Sequence, residues 1–99
     1  MTRRDAMIRD VSAYLNEHFP DAQIVARTDA LTKSEVFTLR EGADARHVEV
    51  TEPWFAQDDD VMLLANAVKT WRLAVAIRQL PGGGTLRLKT TGIENVPSQ

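Results

Sequence analysis

Two histidines, His18 and His47, are the residues of this 99-residue chain best suited to proton transfer or metal binding, and their surroundings decide against both. His47 and Glu49 occupy alternate positions of a strand pattern, about 7 Å apart on one face. A metal there needs a further ligand from elsewhere, whereas an ordinary cross-strand surface pair accounts for both residues. His18 closes a helical pattern, where an imidazolium suits the negative end of the helix dipole. The acidic run Asp58, Asp59, Asp60 has the composition of a cation site but not its geometry. Consecutive positions at a helix start splay around the axis, and the dipole itself explains the carboxylates. Pro81-Gly82-Gly83-Gly84-Thr85 invites a phosphate-loop reading. A phosphate loop needs its glycines before a helix N-terminus, where N–H groups point at the anion. Here they follow a helix, and no Gly-Lys-Ser/Thr signature is present. The chain has no cysteine, which excludes disulfides, thiolate metal sites and a thiol nucleophile. No serine or threonine stands in a recognisable triad motif. The expectation is a protein without a catalytic, metal or cofactor site, and not an enzyme.

The elements that position these residues follow from periodicity. Residues 3–19 repeat apolar side chains at Ile8, Val11, Leu15 and Phe19, with Met7 and Tyr14 beside them, and predict a first amphipathic helix ended by Pro20. Thr2 and Asp5 have the spacing of a capping-box variant. Residues 23–29, 34–40 and 45–51 alternate with period two and predict three strands. Ile24, Ala26 and Thr28 share one face of the first, Phe37 and Leu39 one face of the second, Val48 and Val50 one face of the third. Short turns, among them Glu41-Gly42-Ala43-Asp44, make these strands an antiparallel meander with one apolar face. In the segment before the next helix, Trp54 and Phe55 suit either a binding lip or a staple under the helix start, and the staple is the favoured reading.

Residues 58–80 carry the longest apolar-periodic run, opened by the three aspartates and stopped by Pro81 and the glycines. One helix of that length spans about 34 Å. Its apolar stripe is Val61, Leu64, Val68, Trp71 and Val75, widened by Leu63, Ala67 and Ala74. Met62, Leu73 and Ile77 fall on the opposite side. That second row needs a cover, and it is the candidate interaction surface for a second copy of the chain or another protein. Residues 85–90 predict a fourth strand, an edge guarded by Arg87 and Lys89 and parallel to the third through the helical crossover. Residues 91–99 read as a loose, flexible tail. The expected fold is one α+β domain over residues 1–99: a single-layer, mainly antiparallel sheet with two helices on one face, in the order α-β-β-β-α-β.

Charge is unevenly distributed. Residues 1–60 hold 13 acids and 7 bases, and residues 61–99 hold one acid and 5 bases. The basic half supplies Lys69, Arg72, Arg87 and Lys89, with Trp54 for stacking, as the contacts of an alternative nucleic-acid reading. The α-β-β-β-α order resembles, in outline, double-stranded-RNA-binding domains, but Asp58, Asp59 and Asp60 stand where those domains place phosphate-gripping bases. Small acidic dimeric secretion chaperones are also similar in mixing a meander with two helices, and fold alone does not assign function. No apolar run reaches the ~18 residues of a membrane span, and no secretory leader opens the chain, so a cytoplasmic protein is expected. The leading functional expectation is a homodimeric protein-interaction module, adaptor- or chaperone-like, resting on the second apolar row, the open sheet edges and the missing site. A small-ligand pocket near Tyr14, His47 or Trp54 is a further alternative.

Overall fold

The structure, a computed structural model, describes residues 3–56 and 62–96, for Met62 the backbone only. Thr2, Val61, the aspartates 58–60 and the Met62 side chain therefore lie outside the described residues. The first element is α1 (Arg3–His18), which buries Met7, Val11, Tyr14 and Leu15 at helical spacing. Phe19 still donates its N–H to the Leu15 carbonyl, and Pro20 prevents a further turn. Three strands follow: β1 (Gln23–Thr28), β2 (Glu35–Glu41) and β3 (Asp44–Val50), paired antiparallel in sequence order. The β1–β2 turn is set by Asp29, whose carboxylate accepts the Leu31 N–H at 2.9 Å, and by Lys33 at a positive φ of 58°. The β2–β3 hairpin has a two-residue loop with Gly42 at φ 61°, the backbone that glycine supplies without strain.

A short helix, α2 (Pro53–Ala56), replaces the expected loop and carries Trp54 into the core. The Trp54 indole N–H donates to the Leu88 carbonyl at 3.0 Å, so the structural reading of this aromatic holds. The predicted single helix over residues 58–80 is broken. It is α3 (Met62–Thr70) and α4 (Leu73–Arg78), separated at Arg72, which adopts φ 54° and ψ 54°. This break corrects the expected apolar pattern. In a straight helix Leu73 and Ile77 lie about half a turn from Leu64 and Val68. The left-handed residue resets the phase, so Leu64, Val68, Leu73 and Ile77 all reach the same core. Tyr14 on α1 serves the new helix start: its hydroxyl oxygen accepts the Ala74 N–H at 3.0 Å, one of the donors a helix cannot satisfy internally.

Two strands complete the sheet, β4 (Thr85–Lys89) parallel to β3 and β5 (Gly92–Val96) antiparallel to β4. The sheet is mixed, in the order β1-β2-β3-β4-β5. Two expectations change here. Residues 92–96, read as tail, are a strand, and β4 is interior rather than an edge. Helix α4 ends at Arg78 with Gln79 in the right-handed region, ahead of Pro81 and the glycines expected to stop it. Glycines 83 and 84 instead tie the segment to the sheet: Gly83 N–H donates to the Ala45 carbonyl, and Gly84 carbonyl accepts the His47 N–H. All the helices pack on the sheet face made by Phe37, Leu39, Val48, Val50, Leu86 and Leu88, an α+β arrangement with one covered face.

Candidate interaction surface

Of the residues proposed for a partner surface, Leu73 and Ile77 do not form one, and the Met62 side chain lies outside the described residues. Leu73 and Ile77 have no exposed surface and belong to the central core cluster. They are buried because the break at Arg72 turns their row inward, so the apolar support for a dimer through this helix is lost. Among the described residues the exposed large apolar side chains of the helices are instead Leu63 (45%) and Val75 (46%), both assigned to the core stripe from the sequence.

The nucleic-acid set is also not assembled. Lys69 and Arg72 are exposed on the helical layer, whereas Arg87 lies on the opposite face of the sheet. Arg87 is engaged by Glu49 at 3.5 Å and Glu94 at 3.7 Å, and Lys89 by Glu94 at 3.0 Å. Trp54 is 3% exposed, with its N–H committed to Leu88, and cannot stack on a base. His47 Nδ1 lies 3.1 Å from Thr38 Oγ1, a cross-strand pair. Near Trp54 an open concavity of about 510 Å³ is lined by Leu63, Asn66, Thr70 and Trp71. Among the described residues no group of three or more His, Asp or Glu could hold a metal ion, and no helix is long and apolar enough to cross a membrane.

What the fold does create is a sheet with one face that no described element covers. Register places Val25, Thr38, His47, Thr85 and Val96 in one cross-strand row of that face, and Arg27, Val36, Glu49, Arg87 and Glu94 in the next. The two halves differ in charge. Over β3, β4 and β5 the acids and bases are matched, with Glu49 further held by the Ser34 hydroxyl at 3.2 Å. Beside Lys89 and Arg87, the Glu94 carboxyl is held below its ordinary pKa, chiefly by its hydrogen bond from Lys89. Over β1 and β2 no acid answers the cations. Arg27 and Arg40 make no ion pair among the described residues, and with Gln23, Val25, Thr38 and His47 they line a shallow depression of about 380 Å³.

This cationic half runs to the outer edge of β1. All six residues of β1 are exposed except Ile24, which is half-buried, and Val25 keeps 54% of its surface. The Asp29 N–H donates to the Ser34 carbonyl at 2.8 Å, so by antiparallel alternation Arg27, Val25 and Gln23 turn their backbone groups toward β2. Ile24, Ala26 and Thr28 then present N–H and C=O outward, a row without a strand partner. Neither a proline nor a backbone bulge interrupts it, and Arg27 is its single charged guard. Sequence periodicity gave β1 its two faces correctly. It missed the two cations because Arg27 and Arg40 are 13 positions apart in the chain and come to the same half of one face only through the β1–β2 register. Comparison of the chain with known protein families, with curated proteins and with solved structures finds no match.

Proposed function

We propose that this chain is a protein-interaction module that takes an extended polypeptide as a sixth strand along β1. One observation carries the reading: the outer edge of β1 has no strand partner among the described residues and five of its six residues are exposed, beside a face that no described element covers. An added strand gains main-chain hydrogen bonds from Ile24, Ala26 and Thr28, while alternate side chains lie over the open face and read its residues. The meander behind β1 already holds the edge in strand conformation, so ordering falls mainly on the incoming segment.

The test is a selection from a random-peptide display library against the wild-type protein and against Ala26→Pro. That substitution removes one outward N–H and leaves the β2 ladder intact, a position where an edge strand tolerates proline. The expected result is peptides that bind wild type, fail on Ala26→Pro, and slow amide hydrogen exchange at Ile24, Ala26 and Thr28. Peptides that bind both proteins equally, or protection that falls elsewhere, would refute the edge as the binding site.

A further inference from the structure

We infer that the strand β1 accepts is acidic, with carboxylates at positions i and i+4 and a small apolar residue between them at i+2. The inference rests on the edge reading above and adds the chemistry of the occupant. In the β1–β2 register Arg40 lies beside Gln23, and Gln23 and Arg27 are four positions apart on one face. The two cations are therefore spaced about 13 Å along the strand direction. A neighbouring strand places every second side chain on that face. The residue opposite Arg27 and the residue opposite Gln23 are then four apart, and the residue between them faces Val25.

Charge and reach decide what those positions hold. Opposite Arg27 the side chains start about 5 Å apart, so either acid pairs directly. Arg40 is one strand further in, about 10 Å away, a gap that its long side chain and a glutamate close across Gln23. Both guanidiniums lack an acid among the described residues, and the shallow depression they line leaves room for one. Val25, 54% exposed, supplies the apolar contact at the centre. A second copy fits this edge poorly. In the two-fold register that sets Val25 against Val25 of another copy, Arg27 faces Gln23, which brings that arginine within about 10 Å of Arg40. Four cations would gather along the seam with no acid among them, a like-charge contact that disfavours self-pairing.

The probe is a capped heptapeptide, Thr-Glu-Thr-Val-Thr-Glu-Thr, and its Gln counterpart with both glutamates replaced. Binding is read from amide shifts of the full chain at low and at raised salt. The Glu peptide is expected to shift Ile24, Ala26 and Thr28 and to bind at least tenfold more tightly than the Gln peptide. That advantage should shrink with salt and fall several-fold in Arg27→Gln and in Arg40→Gln, whose folds are intact by circular dichroism. Charge reversal at Arg27→Glu should transfer the preference to a peptide in which Lys replaces only the glutamate opposite residue 27, the other glutamate still answering Arg40. Equal binding of the Glu and Gln peptides, with shifts on the β1 amides, overturns the acidic preference and leaves the edge reading standing. No shift from either peptide at millimolar concentration overturns both. A dimer that Ala26→Pro converts to monomer assigns the edge to a second copy and overturns the acidic occupant.

Discussion

The two faces of the sheet are made by the same strands, yet one is spent on folding and the other is not. On the helical face Phe37, Val48, Val50, Leu86 and Leu88 meet Leu64, Val68, Leu73 and Ile77, and nearly all are fully enclosed. Even Glu35, a buried charged residue on this side, is held: it accepts the Thr28 hydroxyl at 2.6 Å and an Arg4 guanidinium N–H at 3.3 Å. Arg4 itself lies 4.3 Å from the centre of the Phe55 ring, so its charge is shared between α2 and β2. On the open face the charges over β3–β5 pair with each other, whereas Arg27 and Arg40 over β1–β2 have no acid among the described residues. The difference separates two kinds of residue that composition cannot distinguish: side chains that the fold needs, and side chains that the fold leaves available.

The comparison breaks most visibly at Leu73 and Ile77. Aspartate at either position buries a carboxylate without a partner and removes core contacts, at a cost of about 4 kcal/mol or more. Urea denaturation should show a chain unfolded or nearly so, while Val75→Asp, on the exposed side of the same short helix, stays within about 1 kcal/mol of wild type. A well-folded Leu73→Asp protein would return that row to the surface. Next in size is Tyr14→Phe. It leaves the Ala74 N–H buried without its acceptor and should lower stability by about 1–2 kcal/mol.

Arg72 gives a prediction of sign. In a continuous helix, Arg72→Gly costs about 1 kcal/mol. At φ 54° glycine relieves the left-handed strain, so the substitution should be neutral or raise the thermal midpoint by a few degrees. A clear loss would argue for an unbroken helix. The smallest effects belong to the open face. Arg27→Gln and Arg40→Gln should leave stability within about 0.5 kcal/mol of wild type. Glu94 has a lowered pKa in the folded protein, so its contribution is present above the ordinary glutamate pKa of about 4.3 and is lost as pH falls through the lowered value. Comparing acid titrations of wild type and Glu94→Gln should show a difference at neutral pH that vanishes in acid. A difference that grows in acid would reverse the assignment.

Much of this was legible before any coordinates. The order of the first four strands, their inward residues and the parallel return of β4 follow from period-two alternation and from stop signals at Pro20 and Pro81. What stayed hidden has physical causes. The helix break left two apolar rows half a turn apart, and their confinement to successive halves of the run is the signal that a phase reset, not a second interface, was encoded. The fifth strand was missed because its inward positions are Ile93 and Asn95, too little apolar alternation to register; pairing with β4 makes it a strand. The uncovered cationic face beside the β1 edge depended on register, which no window of sequence displays.

The parallel β3–β4 pairing also has a kinetic meaning. The β1–β2, β2–β3 and β4–β5 pairs close through short turns, whereas His47 and Thr85 are 38 positions apart. Closing that separation costs on the order of 3 kcal/mol in chain entropy before the pairing is rewarded. Folding speed should therefore be governed by how early the helical crossover condenses on the meander. Until it does, the edge of β3 is as open as that of β1; in the finished sheet β4 covers it, and the outer strands are β1 and β5.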